Sequence, residues 1–352
     1  MGNSNTQVTS RSLVEQTLTF ASPSRIPRQA WILPWAEIHF PAEVARIRER
    51  WPDDCMQAPT MLTRPTTAVG GKYRAGLFID EWGCQFHNRE EGLMGIVSEP
   101  LIREWSDLES FQTPDILCEL DKESINRFCR STDRFVYSGG IIRPYERFQF
   151  LRTMEQSFMD VMLEEEGYLE LLKRIHNHYL KETEAWAQTD VNAIFLMDDW
   201  GTQHAMMVSP DVFRRHFKPM YAEYCAIAHH YGKYAFMHSD GNIQEIIPDL
   251  IEVGVDALNC QLFCMDLDRL EQEAAGKITF WGEIDRQELL PNGTFNDIDN
   301  AIEKIYNKLY RNGGLIAQCE FGPAANPANI ERVFETWNRK SISPQICSNE
   351  LL

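Results

Sequence analysis

The chain has 352 residues, 43% hydrophobic and 24% charged, with 52 acidic and 34 basic side chains and a formal net charge of −18. Such a chain can bury a large globular core, and its sign argues against nucleic acid or an anionic membrane as a partner. Nine scattered cysteines, no apolar leader and no run of membrane-spanning length point to a cytoplasmic protein with free thiols.

Residues 1–20 and 341–352 are polar and are expected to be tails around one domain, 21–340, which no low-complexity linker divides. Gly76-Leu-Phe-Ile79 and Phe135-Val-Tyr-Ser138 read as strands, and a further strand is sought near 31–40. From about residue 190 a strand–helix rhythm sets in. Asn192-Ala-Ile-Phe-Leu-Met197 is an apolar run too short for a helix. Ser209-Pro-Asp then opens a helix, with Ser as cap, Pro in the first turn and an acid at the positive end, running to Tyr231 before Gly232. Strands follow at 234–237, 255–258, 278–281 and 315–317. Helices lie between and after them at 243–253, 267–275, 295–310 and from Asn329. Alternation of this kind implies parallel strands with crossover helices, and the count points to an α/β fold, a (β/α)8 TIM barrel with an N-terminal extension. An open dinucleotide-binding sheet lacks support, because no G-x-G-x-x-G follows any strand.

Nearly every expected strand ends in polar residues. These are Asp80-Glu81, Asp198-Asp199, His238-Ser239-Asp240, Asn259-Cys260-Gln261, Glu283 with Asp285, and Gln318-Cys319-Glu320. In a parallel barrel these ends converge on one face, where reacting groups sit. His238 and Asp240, two apart at one strand end, can both turn to the mouth. With Cys319 from a distant strand they form a three-point metal cage, the number of protein ligands a catalytic zinc keeps. Asp80, Asp198 and Asp199 are candidates for acid–base work, or else for pairing with an arginine such as Arg74 or Arg143. Trp82, Trp200 and Trp281 either wall the site or pack helices on the barrel. Trp82, Gln203, Gln261, Glu283 and Asp285 are the expected contacts to substrate or cofactor.

Three stretches carry a family resemblance. They are Phe195-Leu-Met-Asp-Asp-Trp-Gly-Thr-Gln203 before Ser209-Pro, His238-Ser-Asp-Gly-Asn-Ile243 leading to Asn259, and Gly313-Gly-Leu-Ile-Ala-Gln-Cys319 with Pro323. Together they resemble the uroporphyrinogen decarboxylase superfamily over roughly residues 25–338. The resemblance implies the barrel and one of two chemistries. The decarboxylase branch has an essential Asp, matched by Asp80. However, Arg28-Gln29-Ala30 is followed by Trp31 and Ile32, so its second arginine is missing, and Cys319 replaces its late His. The methyltransferase branch carries a His-x-Cys pair and a late Cys on zinc. His238 and Cys319 match, with Asp240 in place of the middle Cys. The expectation is therefore a zinc-dependent methyltransferase moving a methyl group between a small methylated compound or thiol and a corrinoid. That corrinoid would be methylcobalamin or a corrinoid protein, and a homodimer is implied by analogy. The alternative is a metal-free decarboxylase or lyase acting on a tetrapyrrole-like or other carboxylated substrate through Asp80.

Overall fold

The computed structural model describes residues 8–97 and 99–342. Eleven strands lie among them: β1 (Arg28–Ile32), β2 (Cys55–Gln57), β3 (Gly76–Ile79), β4 (Gln85–Asn88), β5 (Ile96–Val97), β6 (Phe135–Tyr137), β7 (Ala193–Met197), β8 (Tyr234–Ser239), β9 (Ala257–Cys260), β10 (Thr279–Trp281) and β11 (Leu315–Phe321). Eight of them pair in parallel in the order β1-β11-β10-β9-β8-β7-β6-β2, giving a nearly closed (β/α)8 barrel ringed by helices. The seam between β1 and β2 is closed largely by side chains. Asp53 accepts from the Ala30 N–H at 2.7 Å, Asp54 accepts from the Arg28 N–H at 2.9 Å, and the Asp54 N–H donates to the Arg28 carbonyl at 2.8 Å.

Three expectations change. Gly76–Ile79 is a strand but not a barrel strand. It pairs antiparallel with β4, which pairs with β5, in a separate three-stranded sheet. The two barrel strands not anticipated are β2 and β1, and the stretch sought at 31–40 is mostly the helix Pro34–His39. Residues 10–18, read as part of a polar tail, form the helix Ser10–Leu18. Its Val14 and Leu18 pack into the barrel interior with Phe135, Tyr137, Phe195, Phe236, Trp281 and Ile316. This helix closes the end of the barrel opposite the strand carboxyl ends, since Arg11 donates to the carbonyls of Cys129 and Thr132 ahead of β6. Residues 1–7 and 343–352 of the expected tails lie outside the described residues.

The helix expected over 209–231 opens as read, with the Ser209 side chain accepting from the Val212 N–H. It is interrupted by a wide turn at Phe213–Phe217, where the Lys218 N–H reaches back five residues to the Phe213 carbonyl. Pro219 is the physical reason: it has no N–H to give and its ring crowds the carbonyl four residues back, and a wide turn relieves both. Among the described residues no helix is long and apolar enough to cross a membrane.

Candidate metal centre

Side chains alternate across a strand, so the two packed layers give each residue's direction. Phe195, Phe236, Ala257, Trp281 and Ile316 fill the barrel interior. Their neighbours Leu196, Met237, Leu258, Phe280 and Ala317 pack outward against the helices. Counting on from these, Asp199, His238, Asp240, Asn259, Gln261, Gln318 and Glu320 turn toward the mouth, while Asp198, Ser239, Cys260 and Cys319 turn outward.

Asp199, His238 and Asp240 come together, with one ligand atom from each within 4.8 Å of the others. His238 Nε2 stands 3.5 Å from an oxygen of Asp199 and 3.5 Å from an oxygen of Asp240. Tetrahedral ligands about 2.0–2.2 Å from an ion lie roughly 3.3–3.6 Å apart, so these spacings suit a shared cation. His238 Nδ1 is 2.5 Å from Asn259 Oδ1, and Trp31 covers the imidazole at a ring separation of 5.2 Å. Asp240 is held by Gln261 Nε2 at 3.0 Å and by Arg286, and Asp199 accepts from the Asp240 N–H at 3.0 Å. Burial pulls His238 down, but the hydrogen bond to Asp199 and the charges of Asp240, Asp199 and Glu283 outweigh it and set its pKa at about 10. Burial likewise pushes Asp199 up, but His238 and the Asp240 N–H more than offset it, and its pKa lies below the ordinary Asp range. Deeper in the mouth, burial raises Glu146 to about 7 against Arg143, and raises Glu283 to about 7 against Arg286. Five carboxylates, those of Asp199, Asp240, Glu283, Glu320 and Glu146, thus face Arg143, Arg286 and His238. The donor set is nitrogen and oxygen, and its charge excess is negative, as a divalent cation requires.

Of the three residues expected from sequence to hold a metal, the structure brings two together. His238 and Asp240 are in the cluster, but the third member is Asp199, not Cys319. Cys319 lies on the outward face of β11, fully buried in the strand–helix layer, and burial drives its thiol far above the range where it ionises. Asp198, next to Asp199, is also turned outward. It accepts from the backbone N–H groups of Tyr145 at 3.1 Å and Glu146 at 2.6 Å, at the start of the helix Pro144–Arg152, and from the Tyr221 hydroxyl. A carboxylate at a helix N-terminus is a favourable structural arrangement, although burial still raises its pKa.

Asp80 makes none of its hydrogen bonds to the His238 cluster. It accepts from the N–H groups of Trp82 at 3.1 Å and Cys84 at 2.8 Å in the β3–β4 turn, and pairs with Arg147 at 2.6 Å, rather than with Arg74 or Arg143. Trp82 packs against His178 beneath the Arg147 guanidinium, and Trp200 stacks on Tyr145 in the helix layer; of the three tryptophans, Trp281 is the one inside the barrel. Gln203, Gln261, Glu283 and Asp285 do line one cleft at the mouth. Sequence reading missed Arg286, Glu146 and the orienting role of Asn259, and named Arg143 only as a possible partner of an aspartate. Glu320 could have been found from the alternation Ile316, Gln318, Glu320.

A solved methyltransferase from Methanosarcina mazei has the same fold, with a TM-score of 0.65 at 15% identity over 95% of this chain and 99% of that one. A glycosylated family 10 endo-β-1,4-xylanase from Gloeophyllum trabeum gives 0.45 at 10% identity over 92% and 99%. An endo-1,4-β-xylanase from Caldicellulosiruptor owensensis gives 0.39 at 12% identity over 87% and 88%. No curated protein matches by sequence. Residues 78–339, from β3 through the closing helix, match the family described as uroporphyrinogen decarboxylase (URO-D), and the chain belongs to that family.

Proposed function

We propose that the protein is a metal-dependent methyltransferase whose reacting centre is the His238–Asp199–Asp240 cluster. The single observation that carries the reading is the meeting of an imidazole nitrogen and two carboxylate oxygens at the barrel mouth, at spacings one cation can share. Those three side chains would hold zinc, which when bound supplies a Lewis acid that polarises a heteroatom of the methyl donor or acceptor. Asn259 fixes the imidazole, Gln261 and Arg286 fix Asp240, and Trp31 shields the ring from water. An all-nitrogen-and-oxygen ligand set suits an oxygen- or nitrogen-bound methyl group better than a thiolate. The methyl group would pass to or from a corrinoid, free or on a partner protein. The fold shared with the Methanosarcina mazei methyltransferase supports this by showing methyl transfer on the same architecture.

The decarboxylase alternative has less support. Asp80 is fully engaged by Arg147 and two backbone donors, and the mouth carries more carboxylates than cations, which disfavours a polycarboxylate substrate. Elemental analysis of gently purified protein, with methylcobalamin demethylation followed spectroscopically, tests the reading. One divalent ion per chain, lost in Asp199→Ala and His238→Ala, is expected. A protein that holds no ion and turns over carboxylated substrates in the presence of a chelator would overturn it.

A further inference from the structure

Beside the His238 cluster lies a narrow cleft of about 30 Å³, lined among others by Phe263, Glu283, Asp285 and Arg286. Its deepest charge is short of partners. Glu283 is 2% exposed, and neither carboxylate oxygen has a hydrogen-bond donor among the described residues. The nearest cation, Arg286 Nη1, stands 3.9 Å away. It is already paired with Glu320 at 3.2 Å, and the same guanidinium also holds Asp240. Gln318, fully buried and turned inward, has neither its amide oxygen nor its nitrogen engaged among the described residues, and its side chain lies against Gly282, the residue before Glu283. Buried polar groups are normally hydrogen-bonded, and a buried carboxylate without donors is costly until something donates to it.

The charge of the missing partner follows. Glu283 and Asp285 are acidic, and the single arginine is shared among three carboxylates, so an anionic ligand finds little free positive charge. A cation with N–H donors gains a charge-assisted bond to Glu283, with Phe263 as an apolar wall. Glu283 does not belong to the three-residue ligand cluster, so this seat is distinct from the ion's.

We propose that the cleft seats the positively charged nitrogen of a small amine substrate, with Glu283 as its principal acceptor. The assignment rests on the methyl-transfer reading for the reaction that follows binding.

Calorimetric titration of the full chain with methylammonium chloride and ethanolamine hydrochloride, against sodium acetate and methanol at matched ionic strength, tests the seat. The two ammonium probes should bind at one site, and acetate and methanol should not. Glu283→Gln, which keeps the shape and removes the charge, should weaken ammonium binding about tenfold or more. Acetate or methanol binding as tightly as the ammonium probes overturns the proposal. So does absence of ammonium binding, or unchanged affinity in folded Glu283→Gln. The comparison among probes uses wild-type protein and decides the matter even if the variant does not fold. Repeating it on metal-loaded and chelated protein separates the two readings. Ammonium binding by a chain that takes up no ion sinks only the metal centre, and ion uptake without ammonium binding sinks only the seat.

Discussion

His238 Nδ1 lies 2.5 Å from the side-chain oxygen of Asn259, whose amide nitrogen donates to the Trp281 carbonyl. A carbonyl can only accept, so the Asn259 oxygen must face the imidazole and Nδ1 must carry a proton. That leaves Nε2 directed at Asp199 and Asp240. Orienting partners of this kind typically matter by about 10–100-fold in metal affinity. Asn259→Ala should lose affinity in that range in a competition with a chromogenic chelator, with the fold intact by circular dichroism. Unchanged affinity would show that the ring is oriented by Trp31 alone.

The same imidazole sets a pH dependence. Its pKa in the folded protein, about 10, lies above the roughly 6.5 of an unfolded chain. In metal-free protein the imidazolium therefore contributes stability that is full below about pH 6.5 and is lost as the pH rises toward 10. The melting temperature of chelated protein should fall across that window, and His238→Gln should flatten the fall. A metal must displace the same proton, so apparent metal affinity should climb by about tenfold per pH unit below 10. An affinity independent of pH between 7 and 9 would exclude His238 as a ligand.

Neighbouring aspartates should behave oppositely. Asp199→Ala removes a mouth carboxylate and should abolish metal uptake, and its cost in stability, through the partner lost by the His238 imidazolium, should fade as the pH rises toward 10. Asp198→Ala leaves the Tyr145 and Glu146 N–H groups and the Tyr221 hydroxyl without their buried acceptor. It should cost about 2–4 kcal/mol in urea unfolding, while folded protein keeps its ion. Loss of metal in both, at equal stability, would place both carboxylates in the mouth.

The contrast between these two residues shows how far the sequence could be read. From residue 190 onward, short apolar runs alternate with capped helices, and β7 to β11 were legible with ends off by at most four residues. Gly76–Ile79 has the same apolar signature but pairs with the hairpin strand β4, because an apolar run does not reveal its partner. β1 and β2 were hidden for the converse reason. Arg28-Gln-Ala-Trp-Ile and Cys55-Met-Gln are short and partly polar, and their seam depends on the Asp53 and Asp54 side chains. At the site, the i, i+2 pair at the end of β8 was legible because both residues share one face. Arg286 was not, because it enters from a loop after β10 whose path no periodicity encodes.

Cys319 supplies the sharpest test of that parity argument. A thiol is an attractive zinc ligand, and residue type drew it into the expected cage. Yet Ile316 points into the barrel, so Gln318 and Glu320 follow it inward and Cys319 cannot. Its fully buried thiol should be exchangeable for a methyl group at the cost of a small cavity, about 1–2 kcal/mol. Cys319→Ala should therefore unfold at modestly lower denaturant, yet retain wild-type metal stoichiometry and affinity. Glu320→Ala, on the inward face, should instead free Arg286 from one of its partners and loosen Asp240, lowering affinity severalfold. If folded Cys319→Ala lost its ion while Glu320→Ala kept it, the register of β11 in solution would have to differ by one residue, and the cage would be His238, Asp240 and Cys319 after all.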